Sequence, residues 1–389
     1  MIDRETQVVK GIHYKTGNPI EVKILNGRIN SIREIETDDN LQSIITPGLV
    51  DIQINGYMGT DFNKNPLKKD EWSKVINYLN QVGVTTFYPT IISNSFNQLS
   101  YIFEKNVQAL NSINEVNAIG GFHLEGPYIS MEDGPRGAHS KDFVRPPSWS
   151  EFCDLQEKAK GMIKLITLSP EWQDSISFIK KATENGVKVA LGHTSANAEQ
   201  IDKAVKSGAV LSTHLGNGAH TSLARHPNYI WDQLAEENLW ASVISDGNHL
   251  PKNVLKVINK VKRDKMILIS DSVALSGMMP GDYTTAVGGE VTLSQNGRLF
   301  LKDNPNLLAG SAKYLLQGVK HFVDSEVAEL GEAINKASIY PSKLMGIDQR
   351  KGLTIGAPAD LILLDTKSSN WRVIETYKKG KLVYQKGSE

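Results

Sequence analysis

Eight short apolar runs, each about the length of a buried strand, constrain this 389-residue chain more than any other feature. They fall at 49–54, 85–90, 118–124, 163–168, 187–192, 210–213, 241–244 and 266–270, and helical periodicity at 70–81, 175–184, 198–206 and 251–260 lies between several of them. A strand that reads as a continuous apolar run is buried on both faces, and alternation with helices makes the sheet parallel. Eight such units predict a TIM-like (β/α)₈ barrel, a single core of about 250 residues. A polar residue then closes nearly every run: Gln53 and Asn55, Thr90, His123 with Glu125, Glu171, His193, His214, Asp246 with His249, and Asp271. In barrels the C-terminal ends of the strands carry the chemistry.

The two ends of the chain read differently. Ile20, Val22 and Ile24 alternate with other residues, Asn26-Gly27 turns the chain, and Ile29 and Ile32 follow, which is a hairpin signal. Near the other terminus, 360–365, 373–377 and 382–384 read as short strands. Neither piece buries a core alone, so they are expected to pair. The expected organisation is a small β-sandwich domain from 1–46 plus 352–389 and a barrel from 47–351.

Composition removes several function classes. Lys plus Arg equals Asp plus Glu at 43 each, leaving no net field for non-specific nucleic-acid or anionic-membrane binding. Cys153 stands alone, which rules out an intrachain disulfide and a multi-cysteine zinc site and fits a reducing cytoplasm. The first residues are charged where a signal peptide is apolar, and no run of about 18 apolar residues occurs.

His193 and His214 close neighbouring runs, and Glu125 closes a third. Two imidazoles and a carboxylate with a fourth position open form a common catalytic zinc arrangement. One histidine alone reads more easily as a packed residue; two at matching strand ends together with Glu125 favour a metal. Asp271 ends the eighth run, where a carboxylate beside a metal-bound water acts as base and then acid, although Ser-Asp-Ser is also capping chemistry. Gln53-x-Asn55 occupies the place where His-x-His would supply ligands for a metal pair, and an amide is a poor zinc ligand. One divalent ion is therefore expected. Arg225, after the sixth run, is suited to clamp a phosphate or to serve as an ordinary surface arginine.

Taken together, 47–56 (PGLVDIQING), 123–127 (HLEGP), 137–139 (GAH), 192–194 (GHT), 213–215 (THL), 246–249 (DGNH), Ser270-Asp271 and 351–361 (KGLTIGAPADL) resemble the N-acetylglucosamine-6-phosphate deacetylases of the amidohydrolase superfamily. The resemblance implies that Glu125, His193 and His214 hold a divalent cation, with zinc expected and iron or manganese as alternatives. It implies Asp271 as general base and acid, and His139 as a polariser of the acetyl carbonyl. Asn217, Gly218, Arg225, His249, Leu308 and Gln53 would contact substrate. A homodimer acting on an amino-sugar phosphate is implied as well.

The loop Asn217-Gly218-Ala219-His220 departs from the family's Asn-Ala-Met at the place where phosphate and sugar are held. A related N-acetyl sugar, of galacto configuration or unphosphorylated, is therefore an alternative substrate. Two further readings carry less weight. A cyclic-amide hydrolase would bring His-x-His and a bridging lysine, and a non-catalytic barrel would lose its ligands or Asp271.

Overall fold

The computed structural model describes residues 7–36, 41–285 and 289–387; the remaining positions of the two expected domains (1–6, 37–40, 286–288 and 388–389) lie outside the described residues. The chain opens with β1 (Gln7–His13), β2 (Pro19–Leu25), β3 (Arg28–Glu34) and β4 (Ile44–Pro47). The expected turn between β2 and β3 is present: Asn26 and Gly27 have φ of 52° and 73°, the left-handed pair that a two-residue hairpin needs.

Next come β5 (Leu49–Ile54), a two-residue-per-strand hairpin of β6 (Gly56–Tyr57) and β7 (Thr60–Asp61), then β8 (Val84–Ile92), β9 (Phe122–Glu125), β10 (Ile163–Leu168), β11 (Lys188–Leu191), β12 (Ala209–Ser212), β13 (Trp240–Ile244) and β14 (Met266–Ile269). The eight apolar runs are the eight strands β5 and β8–β14, hydrogen-bonded in the order β14-β13-β12-β11-β10-β9-β8-β5, every pair parallel. The sheet closes where the Asp271 N–H donates to Gln53 O at 2.9 Å and the Asn55 N–H to Ser272 O at 2.8 Å.

Helices α1 (Lys69–Gln81), α2 (Phe96–Leu110), α3 (Trp149–Lys158), α4 (Ser175–Glu184), α5 (Ala198–Lys206), α6 (Tyr229–Ala235) and α7 (Lys252–Lys262) follow successive barrel strands; α8 (Leu315–Asp324), α9 (Leu330–Lys336) and α10 (Ile339–Met345) complete the layer. α1 buries Trp72, Val75, Ile76 and Leu79, the spacing of one helical face. α5 begins in a capping box, with the Gln200 N–H on Asn197 Oδ1 at 3.0 Å and the Asn197 N–H on Gln200 Oε1 at 2.9 Å.

Between β14 and α8 the chain makes an antiparallel sheet not anticipated from its sequence: β15 (Gly281–Thr285), β16 (Gly289–Leu293), β17 (Leu299–Leu301) and β18 (Asn304–Leu308). It has a small core of its own around Val291, Leu293 and Leu299. The chain ends in β19 (Leu361–Asp365), β20 (Arg372–Lys378) and β21 (Lys381–Gln385). The terminal segments do pair, as one continuous seven-stranded sheet in the order β21-β20-β19-β4-β1-β2-β3. The sheet curls back so that Ile29 N–H reaches Ala357 O and Gly356 N–H reaches Ile29 O, which encloses Val22, Ile24 and Ile29.

Candidate metal centre and active site

At the C-terminal end of the barrel, Glu125 (the last residue of β9), His193 (just past β11) and His214 (just past β12) bring one ligand atom each within 4.8 Å of one another, all buried. Glu125 Oε1 lies 3.3 Å from His193 Nε2 and 3.1 Å from His214 Nε2, and the two nitrogens are 3.1 Å apart. His193 Nδ1 faces the Pro135 carbonyl at 2.9 Å, so that nitrogen carries the proton and Nε2 presents its lone pair to the cluster. Two imidazole lone pairs and a carboxylate oxygen directed at one point fit a divalent cation and suit it better than any packing role. Burial alone would raise the Glu125 carboxyl; the two imidazoles held against it overcome this and keep it well below the ordinary carboxylate range.

The backbone is shaped for this arrangement. His193, His214 and Asp271 have φ of 52°, 29° and 46°, left-handed values that cost of order 1–3 kcal/mol each for a non-glycine residue. All three lie where the chain leaves a barrel strand, and the turn aims the side chain at the mouth. Gly218 is required: a Cβ there would sit 2.9 Å from His193 Nδ1 and 3.3 Å from His214 Cε1.

Asp271 is buried and accepts a hydrogen bond from Asn55 Nδ2 at 2.7 Å, and Gln53 Nε2 donates to Glu125 Oε1 at 2.7 Å. The amide pair that replaces His-x-His therefore braces a ligand and the neighbouring carboxylate. This use of Asn55 was not read from the sequence, because its partner lies 216 positions away. Burial, then the charge of Glu125, raises Asp271 to about 6. His139 is buried with Nδ1 2.8 Å from Ser93 Oγ, and its ring centroid is 4.4 Å from that of His193. Burial and then His193 push its pKa down to about 3, so the imidazole is neutral.

Beneath the cluster lies a hydroxyl layer: His123 Nε2 to Thr167 Oγ1 at 2.7 Å, and Thr167 Oγ1 to Thr213 Oγ1 at 2.7 Å. At the rim, His249 Nδ1 is held by Asp246 Oδ2 at 2.8 Å. Asn217 Nδ2 donates to His214 O at 3.2 Å. Leu308 ends β18 half-buried, and Arg225 is exposed on the loop after β12, its guanidinium unpaired among the described residues. Glu171, another strand-end residue, stays outside the cluster, bonded to Ser130, Ser169 and Ser195. Ser93 and Pro135 carried no sequence signal, since a loop hydroxyl and a backbone carbonyl look like any others.

Residues 44–383 match the amidohydrolase family model. The chain belongs to the amidohydrolase family. It is similar to the N-acetylglucosamine-6-phosphate deacetylase of Danio rerio, 30% identical over 355 residues that cover 88% of this chain and 85% of the relative. Similarity to that of Bacillus subtilis is 29% over 401 residues, covering 98% of both. Among solved structures, the N-acetylglucosamine-6-phosphate deacetylase of Thermotoga maritima superposes with a TM-score of 0.84 at 28% identity, covering 97% of this amidohydrolase and 100% of that chain. The Mycobacterium smegmatis structure, at 22% identity and a TM-score of 0.85, covers 98% and 100% and shares the fold. The barrel, the paired termini and the family resemblance read from the sequence are all borne out.

Proposed function

We propose that this amidohydrolase removes the acetyl group of N-acetylglucosamine 6-phosphate, giving glucosamine 6-phosphate and acetate. The observation that carries the reading is Asp271, buried at the end of β14 and braced by Asn55, beside the Glu125, His193 and His214 cluster in a chain whose relatives of that activity match it along most of its length. A divalent cation held by Glu125, His193 and His214, with zinc expected, would polarise the acetyl carbonyl and acidify a water.

The chain's own residues do the rest. Asp271, ionised, takes the proton of the attacking water and returns it to the sugar nitrogen as the C–N bond breaks. His139 is neutral; with Nδ1 accepting from the Ser93 hydroxyl, Nε2–H is left to donate to the developing oxyanion. His249, its Nδ1 occupied by Asp246, offers Nε2 to the sugar. Asn217, the backbone of Gly218 and the unpaired Arg225 supply donors for phosphate, and Leu308 borders the acetyl pocket. Gln53 acts through Glu125 instead of touching substrate. A homodimer, on the strength of the family resemblance, and a cytoplasmic location, on that of the lone Cys153, complete the proposal.

The test is acetate release from N-acetylglucosamine 6-phosphate, from its unphosphorylated form and from the galacto epimer, using zinc-loaded and chelator-stripped protein. Zinc-dependent turnover of the 6-phosphate, with the other two slow, is expected. Preference for another acetyl sugar moves the substrate and keeps the mechanism; zinc-bound protein inert toward all three removes the proposed function.

A further inference from the structure

The loop 130–139 carries two groups that the proposed reaction uses, the Pro135 carbonyl that fixes the His193 tautomer and His139 itself. Its Glu132 side chain ties it to both neighbouring loops. Glu132 Oε1 accepts from Ser195 Oγ at 3.0 Å, after β11, and Glu132 Oε2 lies 3.1 Å from His220 Nε2, after β12. His220 is itself fixed twice by one hydroxyl: its backbone N–H donates to Tyr229 Oη at 2.8 Å, and Tyr229 Oη lies 3.0 Å from Nδ1.

Contact continues along the backbone. Gly134, at φ of 93°, lies so close that a Cβ there would be 3.0 Å from His220 Cα. Glu132, Ser195, His220 and Tyr229 also line a cavity of about 540 Å³.

We propose that Tyr229, His220 and Glu132 form a bolt that sets the position of the 130–139 loop, making His220 and Glu132 positioning residues for His193 and His139. A single exposed polar contact holds little; here His220 and Glu132 meet between two hydrogen-bonded anchors, Tyr229 and Ser195, so loss of the contact frees a segment and not a single group. The effect on catalysis rests on the function proposed above, whereas the effect on the loop does not.

The test uses zinc-loaded protein with His220→Ala, Glu132→Ala, the double substitution, and His220→Gln, whose amide can donate to Glu132. Amide hydrogen exchange across 131–139 and zinc transfer to a chromogenic chelator are measured beside kcat and KM. Each single alanine is expected to speed exchange in that segment, leave the barrel strands unchanged, and hasten zinc loss by about three- to tenfold, less than removal of a direct ligand partner would. The double substitution should be no worse than either single one, kcat should fall more than KM moves, and His220→Gln should recover most of the loss. Unchanged exchange and zinc retention in both alanine variants, or additive losses in the double variant, would overturn the bolt. If the unsubstituted protein proves inert toward acetyl sugars, the function fails while the exchange and zinc measurements still decide the bolt.

Discussion

The lower and upper halves of the barrel interior are built by the same strands and differ in kind. In the lower half Tyr88, Leu165, Leu211 and Ile269 pack into one buried apolar cluster, plugged by Leu344 from α10. Two residues further on stand Thr90 and Thr167 within β8 and β10, and Thr213 and Asp271 just past β12 and β14, and above the threonines lies the Glu125, His193 and His214 cluster. A strand returns the same face every second residue, so Tyr88 and Leu165 are platforms for Thr90 and Thr167 directly above them. The difference teaches where precision comes from: the lower layer is close-packed and rigid, and the hydroxyl layer passes that rigidity to charged groups that could not be packed against hydrocarbon without cost.

Three substitutions would sharpen or break this division. The largest effect belongs at the top. Asp271→Asn should fold, keep its metal and lose about 10²- to 10⁴-fold in kcat, the usual weight of a positioned acid-base group. Because only the ionised form is a base, kcat/KM of the unsubstituted enzyme should rise as pH rises through about 6 or below, a bound cation drawing the value down from that set by burial. The substituted enzyme should lose that limb. Full turnover by Asp271→Asn would end the assignment.

Leu165→Ala, on β10 two residues below Thr167, should do the reverse. It is fully buried, so the cavity should cost about 2–5 kcal/mol in denaturant unfolding. The kcat per folded molecule should stay within about twofold, since the layer it leaves bears no charge that the reaction uses. A collapse in kcat comparable to that of Asp271→Asn would show that the two layers are not separable.

The smallest expected change is at the boundary. Gln53→Ala removes the amide that orients Glu125 and should weaken metal affinity by about 10- to 100-fold, with thermal stability of the metal-saturated protein nearly unchanged. Metal titration against a competing chelator checks it. Unaltered affinity would return Gln53 to the substrate-contacting role first expected for it.

The strands, the bounds of α1, α4, α5 and α7 and the polar residues at the strand ends were legible because they depend on local order: β5 and β14 are continuous apolar runs, and Glu125, His193, His214 and Asp271 stand where such runs stop. Arg225 was legible as an arginine in the loop after the sixth run, suited to a phosphate, whereas Leu308 was legible only through the family resemblance. The sheet of β15–β18 escaped notice because its strands are mostly exposed and polar, with little periodicity to mark them. His220 was visible as an oddity in its loop, but its partners Glu132 and Tyr229 are set by how three loops meet.

By itself the sequence determined the barrel, the pairing of the two terminal segments and the polar residue types gathered at the strand ends, because burial periodicity and turn chemistry act over a few neighbouring residues. Only the tertiary structure decided which groups brace those ligands. Gln53 on Glu125, Asn55 on Asp271, Ser93 on His139 and Pro135 on His193 join positions between 46 and 216 residues apart. A hydrogen bond depends on distance and direction in space, and eight strands closing into a ring bring distant strand ends together in a way that no local pattern records.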